Sequence, residues 1–356
     1  GTPYCPAPTG GTFHPRGFIP DMSQATDIPE FARHLVNLAS PRLGAEALET
    51  SDDFFAPKER LLQDSEPVFI AGKFDDHGKW MDGWESRRRR GGGHDHVVIR
   101  LGTRGIVRGV DIDTRHFTGN YPPQASLQAA DSDHDTPVDE LNWRELHGRT
   151  DLGPNSHHYC AIADAQPVSH LRLNIFPDGG VARLRVYGEP LAASLGADSG
   201  QVLELSAIAN GGRIAGFNDA HYGDPWVILI PGRGINMGDG WETRRRREPG
   251  HDWILVRLGA PGVIERVEVD TAHFKGNYPD QCSIQGALIE ELDDAALGIA
   301  AENWPELMPP KKLEMDRQHF FDQSALRDVG AVNCVRLNIF PDGGISRFRV
   351  YGRLQG

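Results

Sequence analysis

The stretch RLNIFPDGG, Arg172 to Gly180, returns letter for letter as Arg336 to Gly344. Its front half alternates: Leu171, Leu173 and Ile175 are apolar and Arg172 and Asn174 between them are polar, the period of a half-buried strand. After Pro-Asp-Gly-Gly the alternation resumes with Leu184 and Val186 among Arg183, Arg185 and Tyr187, so the segment reads as a β-hairpin closed by a PDGG turn. Working outward, two more blocks recur in the same order. DGWESRRRR (Asp82 to Arg90) returns as DGWETRRRR (Asp239 to Arg247), and DTRHFTGNYP (Asp113 to Pro122) as DTAHFKGNYP (Asp270 to Pro279). A period this long marks a duplicated domain, since solenoid units run to roughly 20–50 residues.

The 356 residues therefore divide into an arm (1–27, rich in Gly, Pro and Thr and without a counterpart), repeat one (28–189), a small polar linker (190–200, PLAASLGADSG) and repeat two (201–356). Within each repeat, HVVIRLG or DWILVRLG reads as one strand, and after a glycine-containing turn IVRGVDIDT or VIERVEVDT reads as the next. Short strands separated by turn residues predict an all-β protein, two tandem antiparallel β-sandwiches. Helix is expected only in pieces: Glu30 to Leu38, and around Asn142 to Leu146 and Asn303 to Leu307.

Bulk composition narrows the function. With 39% apolar and 24% charged residues and a net charge of -13, the chain is globular and a poor match for nucleic acid. No apolar run approaches the ~18 residues of a membrane helix. No charged-then-apolar leader opens the sequence, and a cytoplasmic location is expected. The four cysteines, Cys5, Cys160, Cys282 and Cys334, share no position between repeats, so they are read as reduced thiols, with Cys282 a small buried residue. Symmetric homo-oligomers are common among globular proteins, and one is expected here.

The duplicated polar blocks fall at strand ends, where the loops of a sandwich form a rim. One rim is expected to gather Glu85, Asp113, His116 and Asn120 with the arginines, and its copy Glu242, Asp270, His273 and Asn277. A four-arginine run is ordinarily a solvated face or an ion-pair ladder, but its survival beside the same glutamate in both copies favours anion binding. Alternate arginines of an extended run point to opposite faces, so the four cannot all line one pocket. Arg172, Arg336 and the neighbouring asparagines are either site residues or partners of adjacent strands, and Trp84 and Trp241 are read as packing. PDGG is read chiefly as a turn. Asp-x-x-His and the recurring His94-Asp95 and His251-Asp252 leave a divalent metal open, although no established ligand spacing accompanies them. The sequence requires no cofactor.

Taken together, the DGWE(S/T)RR block, the GHDW-I-VRLG strand, the DTAHFKGNYP loop and the RLNIFPDGG segment closely resemble the allantoicase family over roughly residues 30 to 353. SDDFFAPKERLL (Ser51 to Leu62) adds to the likeness, and its partner NDAHYGDPWVIL (Asn218 to Leu229) is more diverged. The resemblance implies galactose-binding-like (jelly-roll) sandwiches and hydrolysis of allantoate to ureidoglycolate and urea. Release of intact urea requires cleavage of the methine C–N bond, hence an acid for the departing nitrogen and a base for the other ureido arm or for water. The residues expected to supply them are Glu85, Asp113, His116, Glu242, Asp270 and His273. Arg87, Arg88, Arg244 and Arg245 are expected to grip the carboxylate, with Asn120, Asn277, Arg172 and Arg336 as further substrate contacts. Domain junctions often hold pockets, so a site near the repeat junction is favoured. The alternatives are a non-catalytic small-ligand-binding sandwich and a related hydrolase acting on ureidoglycolate.

Overall fold

The structure, a computed structural model, describes residues 28–192, 200–290 and 292–355. The N-terminal arm (1–27) and most of the expected linker (193–199) lie outside the described residues. Repeat one opens with the short helix α1 (Glu30–His34) and continues through β1 (Val36–Asn37), β2 (Glu46–Thr50), β3 (Asp95–Asp113), β4 (Gln124–Ala130), β5 (Arg144–Asp151), β6 (Tyr159–Ala161), β7 (Val168–Phe176) and β8 (Arg183–Pro190). Repeat two follows the same order with β9 (Val202–Glu204), β10 (Arg213–Phe217), β11 (Asp252–Asp270), β12 (Gln281–Ala287), helix α2 (Asp294–Ala300), β13 (Glu306–Lys312), β14 (Gln318–Phe321), β15 (Val332–Phe340) and β16 (Arg347–Leu354).

β3 organises the first repeat. Its N-terminal half pairs with β2 and β7, and its C-terminal half with β6 and β8. The strand order is β1-β8-β3-β7-β4-β5, all antiparallel, and β11 holds the same place in β9-β16-β11-β15-β12-β13. One strand of 19 residues thus serves both layers of each sandwich. Val97, Ile99, Val107, Val110 and Ile112 face the core from it, beside Leu171, Leu173, Ile175, Leu184 and Val186. Ala125 and Cys282, at matching positions, are both fully buried, and Cys160, Cys282 and Cys334 are free thiols.

Three local expectations are corrected. β7 and β8 do not pair with each other, because β3 lies between them, so PDGG crosses from one layer to the other and closes no hairpin. The glycine-containing turn inside LGTRG is absent; the chain stays extended there, and the irregularity appears as a shift of register. Arg144–Asp151 and Glu306–Lys312 are strands, their sequences supplying cross-strand partners to β4 and β12, while helix at α1 is confined to five residues.

The repeats share one continuous buried apolar cluster. Arg42 reaches from repeat one to Asp239 of repeat two through two hydrogen bonds of 2.6 and 2.7 Å. Repeat one also carries an extra hairpin, Phe74–Asp75 paired with Gly78–Lys79, where repeat two joins Gly234 to Asp239 directly.

Candidate active site

The three duplicated blocks meet at one end of each sandwich. Trp84 and Glu85 pair with Val181 and Gly180 as a two-residue sheet, and Trp241 and Glu242 pair with Ile345 and Gly344. Asn120 closes the junction from the third block: its carbonyl accepts the Gly180 N–H (2.7 Å), and its side-chain amide donates to Glu85 Oε1 (2.8 Å). In repeat two the Asn277 carbonyl accepts from Gly344 (2.8 Å), and the Asn277 amide donates to Glu242. The Ser86 N–H donates to the Gly179 carbonyl (3.0 Å) and the Arg89 N–H to Asp178 Oδ2 (2.8 Å); Thr243 and Arg246 repeat both contacts.

The glycines of PDGG are required by this closure. Gly179 has φ +137, and a Cβ there would stand 2.8 Å from the Asn120 carbonyl oxygen and 2.7 Å from the Pro122 nitrogen; Gly343 is the same within a few degrees. A Cβ on Gly180 would meet the Phe117 ring at 2.0 Å. Behind the site, the fully buried Arg183 donates to the Asp82 carboxylate (2.9 Å) and carbonyl (3.1 Å) and to the Ser65 carbonyl (2.9 Å), and Arg347 does the same around Asp239. These buried forks fix the strand that presents Glu85 and Glu242. The sequence reading missed this structural role, although the recurrence of Arg183 as Arg347 was visible.

A cleft of about 570 Å³ opens on this junction in repeat one, lined among others by Phe55, Glu85, Arg88, Asn120, Tyr121 and Asp178. The volume suits a small molecule. Burial pushes the Glu85 carboxyl above the usual carboxylate range, against the opposing pull of the Asn120 bond and of Lys79.

The arginine run divides by alternation. Arg87 pairs with Asp52 (2.6 Å) and Arg89 with Asp95 (2.7 Å), leaving Arg88 exposed at the cleft. Arg244 and Arg246 pair likewise with Asp219 and Asp252. Arg245 lines a shallower pocket of about 360 Å³ beside Asp219 and Glu248. Burial pushes the Asp52 carboxyl up, but the Arg87 side-chain and backbone bonds outweigh it and hold it below its ordinary value.

Asp113 and His116 are not among the residues lining the cleft. Asp113 is buried against the Arg115 guanidinium (2.7 Å), and Asp270 against Arg233 (3.3 Å). His116 has φ +70; its N–H donates to Asn155 Oδ1, and its Nε2 lies 3.0 Å from the Pro67 carbonyl oxygen. His273 repeats the conformation, with Nε2 2.8 Å from the Gly234 carbonyl oxygen. The two histidines are corners of the backbone, stabilised in a left-handed conformation that side chains rarely adopt. Arg172 and Arg336 also stand apart, on the outer face of the sheet. Trp84 and Trp241 are fully buried and donate to the carbonyls of Asp52 and Asp219.

The recurring His94-Asp95 pair, which left a metal open, turns to other partners. His94 Nε2 lies against Asn174 Oδ1, and Asp95 takes Arg89 and Ser51. Asp111, Asp113 and His157 do come together in repeat one. Arg115 already occupies Asp113, however, and Gln318 stands opposite Glu268 in the second copy, so the donor set does not suit a duplicated cation centre. A cavity of about 570 Å³ does lie at the repeat junction, lined by Arg42, Asp64, Glu66, Arg185 and Asp224, but by none of the sequence-predicted site residues.

Fold and site define a duplicated jelly-roll protein with a carboxyl–amide pair and an arginine-bordered rim in each half. The allantoicase repeat model matches residues 36–191 and 203–355. The probable allantoicase 1 of Burkholderia mallei is 56% identical over 326 residues, covering 92% of this chain and 96% of that protein. The probable allantoicase of Rhizobium meliloti is 52% identical over 337 residues, covering 94% and 98%. The crystal structure of allantoicase from Saccharomyces cerevisiae superposes with a TM-score of 0.73 at 32% identity, covering 89% of this chain and 92% of that one. The chain belongs to the allantoicase family.

Proposed function

We propose that the protein hydrolyses allantoate to ureidoglycolate and urea, at a site of its own in each repeat. The observation that carries this reading is the convergence of all three duplicated blocks on the Glu85–Asn120 and Glu242–Asn277 pairs. The names of the relatives support the substrate. Residues lining the first cleft recur almost throughout in the second repeat, including Glu242, Arg245, Asn277, Tyr278 and Asp342, which favours two sites over one shared site.

Allantoate carries a carboxylate and two ureido groups on one methine carbon. Arg88 and Arg245 present planar forks to the carboxylate. The Glu85 carboxyl, kept protonated to higher pH by burial, donates its proton to the departing ureido nitrogen as the methine C–N bond breaks. Asp178, whose carboxylate borders the same cleft, accepts the N–H proton of the remaining ureido arm. The electron pair of that nitrogen forms the C=N bond as urea leaves. Water then adds across C=N: its hydroxyl joins carbon while Glu85 takes its proton, and Asp178 returns its proton to nitrogen, giving ureidoglycolate and restoring both carboxyl groups. Asn120 holds the Glu85 carboxyl in place, while Asp113, His116 and their copies Asp270 and His273 support the backbone of the loops.

No described helix is long and apolar enough to cross a membrane. The reading is tested by Arg88→Ala combined with Arg245→Ala in a urea-release assay. KM for allantoate should rise at least ~10-fold, the scale of a lost charged hydrogen bond. An unchanged KM would remove the arginines from the site.

A further inference from the structure

Away from the cleft, the outer sheet face of each repeat carries another duplicated polar set. Arg172 and Asn174 of β7 lie opposite Gln128 and Ser126 of β4, and Arg336 and Asn338 lie opposite Gln285 and Ser283. Neither arginine makes an ion pair among the described residues. Arg172 packs its guanidinium 4.3 Å from the centre of the Trp143 ring, its Nη1 makes only a long contact to Gln128 Oε1 (3.5 Å), and its buried Nε has no partner. Glu49 pulls on it from β2 without pairing, and burial outweighs that pull. Arg336 is 4% exposed, and its Nη1 has no partner. A guanidinium withdrawn from water without a counter-charge is unfavourable, so keeping one in both copies calls for an explanation.

The hydrogen-bond directions supply it. In repeat two, Asn338 Oδ1 accepts from His251 (3.1 Å) and Arg336 Nε (2.8 Å), and the Asn338 amide donates to Ser283 (3.2 Å) and Gln285 Oε1 (3.0 Å). The Gln285 amide then donates to the carbonyls of Glu302 and Trp304, just after α2, and Leu297 of α2 packs with Leu255 and Trp304 over the face. The second copy is roofed by its own chain. In repeat one, His94 occupies Asn174 Oδ1 (3.2 Å), and the Asn174 amide donates to Ser126 (3.4 Å) and Gln128 Oε1 (3.3 Å). The acceptors are consumed in the same way. Here no α-helix follows β4, Arg172 and Gln128 are half-buried, and the Gln128 amide has no acceptor among the described residues. Donors therefore face outward beside a cation, with Trp143 as a flat wall.

We propose that this face of repeat one binds a small carboxylate, outside the reaction cleft, and that α2 has closed the equivalent site in repeat two. The carboxylate lies in the Arg172 fork and against the Gln128 amide; the flat Trp143 surface favours a planar amide or ureido neighbour. Calorimetric titration of the full chain with hydantoate, a ureido carboxylate with a single ureido arm, tests it. Arg172→Gln should remove one bound hydantoate per chain, or weaken that site at least tenfold. Gln128→Glu, which gives the guanidinium an internal carboxylate, should remove the same site and raise the thermal midpoint, and it decides the matter should Arg172→Gln fail to fold. Retention of the full hydantoate stoichiometry in a folded variant of either kind would overturn the proposal. Tighter binding of inorganic phosphate than of hydantoate at this position would overturn the carboxylate assignment.

Discussion

At the residue scale, the proposed reaction turns on Glu85. Its half-buried carboxyl, bonded to Asn120, has its pKa raised by desolvation. A raised folded value means that its contribution to stability is present below the ordinary carboxylate range and is lost as pH rises through the shifted value. Glu85→Gln does not titrate, so its thermal midpoint should gain on the parent protein as pH rises above the ordinary carboxylate range. As the acid of the reaction, Glu85 should also set an alkaline fall in kcat that changes in the same variant; equal pH profiles would separate Glu85 from proton transfer. Duplication made Glu85, Arg88 and Asn120 legible in the sequence. It marked His116 and Arg87 equally, although neither lines the cleft, because a left-handed corner and an ion pair to Asp52 are copied as faithfully as any other feature. Sequence spacing carries no record of which side of a loop a side chain occupies.

At the scale of elements, the long strand β3 and the PDGG crossing do the positioning. PDGG was legible as a turn and β3 as two strands split by a glycine turn, but neither was legible in its role. Alternation looks the same whether two strands pair or flank a third, so the segment read as a hairpin, although β3 separates its arms. Gly179 was consequently credited to a turn when its need is a close approach to Asn120. Gly179→Ala should destabilise the protein by about 1–3 kcal/mol, the scale of a strained backbone position, and lower urea release by shifting Asn120 away from Glu85. Chemical denaturation and the activity assay check the two effects; a loss of neither would mean that the junction is loosely built. The segment at Asn142 to Leu146 failed differently, since a short run of mixed periodicity becomes a strand only because β4 offers it an edge.

At the scale of the whole molecule, two sandwiches share one apolar cluster and an ion pair that the duplication does not repeat. Arg42 spans the junction to Asp239, which is 4% exposed and also held by Arg347. Arg42→Ala should cost about 1.5–3 kcal/mol, the value of hydrogen bonds to a charged group, visible as a lower unfolding midpoint. An unchanged midpoint would mean that the apolar contact alone joins the repeats. Arg42 was invisible as a partner of Asp239 because nothing local in the sequence links positions so far apart.

The central claim is that each half brings its three duplicated blocks to a glutamate that moves the proton. It is met most directly by urea release from allantoate in Glu85→Gln, Glu242→Gln and the double variant, each verified as folded. With one site per repeat, each single variant should keep part of the activity, and the double variant should fall about 100- to 10,000-fold, the range of a lost general acid. A folded double variant that releases urea within a few-fold of the parent protein would contradict the account.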